Sequence, residues 1–231
     1  MPALDDFLRD PPRFLRHNHV TYRGQYPDTQ GGGEYDFILL PLENATARTR
    51  GGVFLGKSLA KADAGVYEIR WRDAPLLGAD RLARGAPFRA IWGGFVAGGK
   101  ADVALDSNGP DLMLTPELTG CTIAHAAQRN GDARFSHYNM MAGPRTLPGP
   151  AMVAAARSDY AGVGNLGVLT REHYHGKSTF ETSKERTRPA ANVIGWRKGG
   201  VWTFWVQYTD VKGTVSQILD VRQLTPGVKI G

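Results

Sequence analysis

The sequence is poor in cysteine, in long apolar runs and in clustered charge. The single cysteine, Cys121, excludes an intramolecular disulfide framework, so folding requires no oxidising compartment. No stretch approaches the ~18 consecutive apolar residues of a membrane-spanning helix, so we expect no membrane span. The net charge is +6, but no run of five or more Lys/Arg occurs, and we therefore expect no nucleic-acid partner.

The first residues lack the features of a secretory leader. The stretch Met1–Val20 has no apolar segment and carries acidic residues early, which argues against a Sec signal peptide. Residues 1–18 could hold one or two short helical turns, which Pro11 and Pro12 would break, and a glycine-rich loop follows. We therefore predict an N-terminal arm over residues 1–34 and a single domain over residues 35–231.

Turn-forming residues are plentiful and favour short strands over long helices. The chain has 29 glycines and 14 prolines. Strand-like segments recur along the chain: Tyr35–Leu42, Gly65–Trp71, Phe88–Gly98 (with glycines that suggest a bulge or bend), Ala101–Asp106, Ala191–Asp210 (a hairpin) and Val215–Leu224 (a strand or a short helix). Helical patterns occur at Leu76–Gly85 and Pro150–Gly162. We predict an α+β, β-rich fold in which stacked, mainly antiparallel sheets form a β-sandwich-like core with a few surrounding helices.

The segment around the cysteine has the pattern of a β-hairpin. Two apolar-rich strands, Cys121–Gln128 and Asp132–Met140, flank a turn that contains Asn-Gly. A two-residue turn would place Cys121 opposite Met140 and would point His137 to the other face of the hairpin.

A three-residue loop would shift this pairing by one residue. Ile123 would then lie opposite His137, and Cys121 opposite Asn139. Cys121 and His137 would share one face as diagonal neighbours, about 5–8 Å apart at their Cβ atoms. A glycine at the last loop position suits this arrangement, which would allow a Cys–His dyad.

Two other interpretations of Cys121 remain open. His125 shares its face on the same strand, but four strand residues place it roughly 13 Å away, so His137 is the better base. A free cysteine also often serves as a small buried apolar residue, in which case no dyad exists.

The residues Leu118-Thr119-Gly120-Cys121 resemble a Leu-Ser-Gly-Cys motif. That motif, followed by a strand, a turn and a returning strand with a histidine, marks a family of bacterial toxin deamidases. The family includes the catalytic domain of the cytotoxic necrotizing factors and Burkholderia lethal factor. Threonine replaces serine here and keeps the hydroxyl, and His137 lies sixteen residues after Cys121, close to the family's spacing.

The resemblance implies a site and a reaction. Cys121 would be the nucleophile and His137 the base, with Thr115, six residues before the cysteine, orienting the imidazole. A backbone carbonyl fills that third role in the necrotizing factors. Main-chain N–H groups near Gly120 would hold the oxyanion, with Gly120 allowing close approach and an unusual φ, and Thr119 would help to position the loop.

The resemblance also implies the substrate. Residues 35–231 would form a catalytic domain of deamidase-toxin type that converts a glutamine of a host protein, a Rho-type GTPase or a translation factor, to glutamate. The protein would be a secreted bacterial effector acting in the host cytosol. We expect it to be a monomer and to need no metal or organic cofactor. An amine in place of water would give transglutamination.

Other functional classes stay open at this point. The same Cys–His pair could serve a cysteine protease, and a structural cysteine would leave a non-enzymatic β-sandwich that binds protein or sugar. The His-x-His pairs at His17–His19 and His173–His175 could each bind zinc if they lay on strands, but neither has an evident third ligand nearby.

Overall fold

The structure is a computed structural model. It describes the following residues: 2–22, 26–27, 32–42, 46–49, 53–54, 57–58, 63–73, 85–127, 132–175, 188–212 and 215–224.

The helices within these residues are short. They are α1 (Pro2–Arg9), α2 (Pro11–His17), α3 (Gly149–Asp159) and α4 (Arg171–His175). Asp10 separates the first two and caps α2, where its side chain accepts a hydrogen bond from the Arg13 N–H. Prolines occupy the first positions of α2, where a missing N–H costs nothing. No helix in the described ranges is long and apolar enough to cross a membrane.

Strands make up most of the described chain. They are β1 (Asn18–Tyr22), β2 (Gly33–Pro41), β3 (Thr46–Thr49), β4 (Val53–Phe54), β5 (Lys57–Ser58), β6 (Asp63–Trp71), β7 (Pro87–Trp92), β8 (Lys100–Leu105), β9 (Leu112–Leu114), β10 (Thr122–Ala127), β11 (Ala133–Tyr138), β12 (Met141–Ala142), β13 (Arg145–Thr146), β14 (Gly167–Leu169), β15 (Arg188–Lys198), β16 (Val201–Lys212) and β17 (Val215–Leu224).

Two sheets organise the fold. The large sheet has nine strands in the order β1-β6-β2-β7-β9-β15-β16-β17-β3, and β3 also pairs with β6, so the sheet returns on itself. Its pairs are antiparallel except β1–β6, β7–β9 and β17–β3. The small sheet has four strands in the order β14-β10-β11-β8, all antiparallel. The predicted β-rich α+β fold with stacked sheets is confirmed.

The main core lies between the two sheets. The small sheet contributes the side chains of one face, among them Val103, Ile123 and Phe135, and the large sheet contributes residues such as Phe204 and Val206. Both faces of β10 are buried, because its opposite face packs against α3. Burial on both faces explains the high apolar content of this strand.

The N-terminal helices pack against the large sheet through a second apolar cluster. Gln207 on β16 also fixes them: it donates to the carbonyls of Leu15 and Asn18 at 2.6 Å each and accepts from the Val20 N–H at 3.1 Å. Asn192 donates to the Val20 carbonyl at 2.6 Å. These bonds satisfy buried polar groups where the chain passes from α2 into β1.

Most strand predictions agree with the structure. The predicted hairpin at Ala191–Asp210 corresponds to β15 and β16, with Gly199 and Gly200 at positive φ in its turn. The segment Val215–Leu224, predicted as a strand or a short helix, is a strand. Helix α3 matches the prediction at Pro150–Gly162. The apolar run at Phe88–Gly98 differs, because β7 ends at Trp92 and the glycine-rich remainder forms a loop. Most of the Leu76–Gly85 candidate lies outside the described residues.

Candidate active site

The hairpin that carries the cysteine has the register that allows a dyad. Ile123 pairs with His137 across β10 and β11, which is the pairing expected for a three-residue loop. Cys121, just before β10, therefore lies on the same face as His137 as its diagonal neighbour, a position about 7–8 Å away between Cα atoms. The loop itself, residues 128–131, lies outside the described residues.

His137 meets Thr115 across the gap between the two sheets. Thr115 directly follows β9 of the large sheet, and its Oγ1 lies 3.1 Å from His137 Nδ1. Both side chains are buried. If Nδ1 carries the proton and donates to Thr115, the lone pair of Nε2 is left to accept a proton.

The second nitrogen of His137 is buried without a bond. Nε2 has no hydrogen-bond partner among the residues that the structure describes. The ring of Phe95 packs edge-on against the imidazole with centroids 5.5 Å apart, and this phenylalanine is itself 42% exposed. Burial lowers the pKa of His137 to about 4, although a backbone hydrogen bond with Gly94 favours the protonated form.

The thiol of Cys121 is held by two polar contacts. Its Sγ donates to Asn139 Oδ1 at 3.5 Å, and the backbone of Gly120 hydrogen-bonds the sulfur and favours the thiolate. Burial dominates nevertheless and raises the pKa of Cys121 to about 11. Cys121 is 7% exposed, so little of the residue is accessible to a reagent.

Helix α4 and β15 fix the backbone around the thiol. Tyr174 Oη donates to the Cys121 carbonyl at 3.1 Å, and His175 hydrogen-bonds the backbone of Thr119. Leu118 exchanges two hydrogen bonds with Ala191, at 2.8 and 3.0 Å. These anchors hold the loop before β10 at the end of the core.

The pKa directions define the resting state of the site. Because its pKa is raised, the Cys121 thiol is neutral at pH 7. The His137 imidazole is also neutral at this pH, because its pKa is lowered. A preformed thiolate–imidazolium pair is therefore not favoured. For the sulfur to act as a nucleophile, its proton would have to pass to the imidazole during the attack, as in general-base catalysis.

Gly120 and Thr119 lie at the accessible side of the cysteine. Thr119 is exposed and Gly120 is half-buried. The expected unusual φ at Gly120 is wrong, because Gly120 is not among the residues at positive φ. Apart from its two chain neighbours, nothing lies within 4 Å of the place that a Cβ would take at this position, so the surrounding fold leaves room for a side chain there.

The rival base His125 is separated from the thiol. Its ring packs 4.4 Å from that of Phe204 and presses against Gly167, where a Cβ would lie 2.2 Å from Nε2. Burial lowers its pKa to about 4, and neither ring nitrogen has a hydrogen-bond partner within the described chain. His125 is a core residue between the sheets.

The His-x-His pairs are not arranged as zinc ligands on strands. His173 and His175 lie on α4, where residues two apart do not share a face. His17 ends α2, whereas His19 belongs to β1. Among the described residues, no group of three or more His, Cys, Asp or Glu side chains could hold a metal ion.

The sequence analysis assigned no function to three residues around the site: Asn139, Phe95 and Tyr174. The hairpin pattern placed Asn139 opposite Cys121 but suggested no function for it. Phe95 belonged to a run interpreted as a strand, and its aromatic side chain between glycines was the available signal. Tyr174 reaches Cys121 from a distant helix, and no local pattern indicated this.

No protein-family model matches the chain.

Proposed function

We propose that the protein is a cysteine-dependent protein glutamine deamidase, with Cys121 as nucleophile and His137 as base. The observation that carries the proposal is the placement of His137. Its Nδ1 lies 3.1 Å from Thr115 Oγ1, its Nε2 is unpartnered within the described chain, and Cys121 lies on the same face. Thr115 is thus in contact with His137, and the register places Cys121 on the face of the hairpin that carries His137.

The reaction follows from the neutral resting state. The Cys121 sulfur attacks the carboxamide carbon of a glutamine side chain while its proton passes to His137 Nε2. The carbonyl electron pair moves to oxygen and forms an oxyanion. Collapse of this intermediate breaks the C–N bond, and His137 returns the proton to the departing ammonia. Water then hydrolyses the thioester, which leaves glutamate and the free thiol.

The substrate class is a host protein. The family resemblance suggests a Rho-type GTPase or a translation factor as the target, and a secreted effector that acts in the host cytosol. The net charge of +6 would favour an acidic face on the target. Thr119, two residues before Cys121, and Phe95, which packs against His137, are both exposed, so a polypeptide substrate could contact them.

One observation favours a different class of function. The Cys121 thiol is buried and its pKa is raised to about 11, which is the environment of a structural cysteine. The alternative is therefore a non-enzymatic β-rich binding protein. A cysteine protease would use the same two residues but would cut its target.

Ammonia release from host-cell extract separates these classes. We expect the wild-type protein to release ammonia and to leave its target at full length, and Cys121→Ser and His137→Ala to release none while staying folded. Fragments of the target would indicate proteolysis. Inactivity of the wild type towards extract, with a thiol that resists iodoacetamide, would indicate a structural cysteine.

A further inference from the structure

Asn139 is the side chain that touches the nucleophilic sulfur from the partner strand. It directly follows β11 and faces Cys121 across the hairpin, and its Oδ1 accepts from Sγ at 3.5 Å. Its backbone is fixed, because its N–H donates to the Gly99 carbonyl at 2.9 Å and the next residue, Met140, forms a bridge with Gly98. The amide is therefore held beside the reacting atom.

The Nδ2 group of Asn139 is available to donate a hydrogen bond to a substrate. Among the described residues, none accepts a hydrogen bond from Asn139 Nδ2, and the side chain is half-buried. An amide group has two donors on nitrogen and an acceptor on oxygen, so rotation of the group exchanges acceptor for donor beside the sulfur. A carbonyl oxygen under attack by Cys121 would lie within reach of that donor.

We propose that Asn139 is a catalytic residue that donates a hydrogen bond from Nδ2 to the oxyanion formed on the substrate carbonyl. In the resting site, Oδ1 accepts a hydrogen bond from the thiol, which favours the neutral sulfur. When that proton passes to His137, the acceptor loses its partner and the amide turns its N–H group to the developing oxyanion. The Gly120 N–H, which faces the sulfur, is the second donor. This inference rests on the proposed function of Cys121 as a nucleophile.

Two small reagents test the role without a protein substrate. Acylation by p-nitrophenyl acetate passes through an oxyanion, whereas alkylation by iodoacetamide displaces iodide and forms none. Both rates are measured at pH 9 on wild type, on Asn139→Leu, which keeps the volume, and on Asn139→Gln, which keeps the amide. Circular dichroism and thermal unfolding confirm the fold, and Cys121→Ser shows the background rate of each reagent.

We expect Asn139→Leu to slow acylation by about 100-fold and to leave alkylation within about threefold of wild type. Asn139→Gln should recover part of the acylation rate. Equal falls in both rates would show that Asn139 only places the thiol, and unchanged rates would show that it takes no part; either result overturns the proposal. A wild-type Cys121 that is inert to both reagents in the folded protein would instead overturn the proposed function itself.

Discussion

At the scale of single residues, the candidate site consists of Cys121, His137 and Thr115. The sequence predicted the relative positions of these side chains to different extents. The alternation of side chains along the hairpin places Cys121 and His137 on one face only if the loop has three residues. The sequence left two registers open, because a turn containing Asn-Gly fits either length. Thr115 belongs to the other sheet, so no strand pattern could bring it to His137. Only the motif resemblance pointed to it.

The contact between Thr115 and His137 predicts a graded loss of activity. Thr115→Val keeps the shape but removes Oγ1, so His137 loses the partner that orients Nδ1. We expect kcat to fall by about 10- to 100-fold, as for other partners that orient a functional imidazole. Thr115→Ser, which keeps the hydroxyl, should retain most of the activity. Equal activity of the valine and serine variants in the ammonia assay would argue against an orienting role.

Two buried histidines predict an acid-sensitive fold. Burial lowers the pKa of His125 and His137 to about 4 in the folded state, whereas an unfolded histidine titrates near 6.5. The unfolded chain thus binds more protons between these values, and stability falls as pH drops from about 6.5 to 4. Each histidine contributes at most about 3 kcal/mol to this loss.

Urea unfolding of His125→Leu across this pH range isolates one of these contributions. The leucine variant cannot titrate, so its free energy of unfolding should fall less steeply with acid than that of wild type. Because His125 takes no part in the proposed reaction, ammonia release per folded molecule should stay close to wild type. Identical pH slopes for the two proteins would refute the assignment of His125 as a neutral core residue.

At the scale of elements, the two faces of β11 have different roles in the fold. One face carries His137 of the candidate site, and the other carries Ser136, whose hydrogen bonds hold the strand in place. Ser136, next to His137, hydrogen-bonds Asp102 on β8 and lies 2.8 Å from Tyr160 Oη at the end of α3. Tyr160 also donates to the Ala124 carbonyl of β10 at 3.3 Å. The same hairpin is therefore fixed from outside by α3, while its inner face presents the site.

This anchorage predicts a loss of stability without a loss of chemistry. Ser136→Ala leaves the buried Tyr160 hydroxyl and the half-buried Asp102 carboxylate with fewer partners, so we expect the free energy of unfolding to fall by about 1–3 kcal/mol. Tyr160→Phe should give a loss of similar size, and the double variant should be less than additive. Urea denaturation measures all three. Strict additivity would show that the two hydroxyls do not act together.

Strands and helix α3 were predictable at this scale because alternation and turn residues are local signals. The glycines after Trp92 indicated a bulge or bend, but the apolar run did not show that β7 ends at Trp92. Gly94 and Gly98 adopt positive φ there, which most other residues rarely do. The resulting loop carries Phe95 over His137, an outcome that depends on packing rather than on the strand pattern.

At the scale of the whole molecule, the large sheet returns on itself through β3 and β6, and the small sheet stacks against one part of it. The sequence predicted stacked sheets but not this closure, because it depends on pairs far apart in the chain. The stacking brings Thr115, which directly follows β9 of the large sheet, against His137 of the small sheet. A site of this kind exists only in the assembled fold.

Peptide mass spectrometry of host-cell proteins exposed to wild type and to Cys121→Ser tests the proposed reaction of this site. Conversion of glutamine to glutamate adds about one dalton to a single peptide of an otherwise intact protein. We predict this change at one glutamine after exposure to wild type and its absence with Cys121→Ser and with His137→Ala. The same shift with Cys121→Ser, or cleaved targets in place of the shift, would contradict a thiol-dependent deamidase.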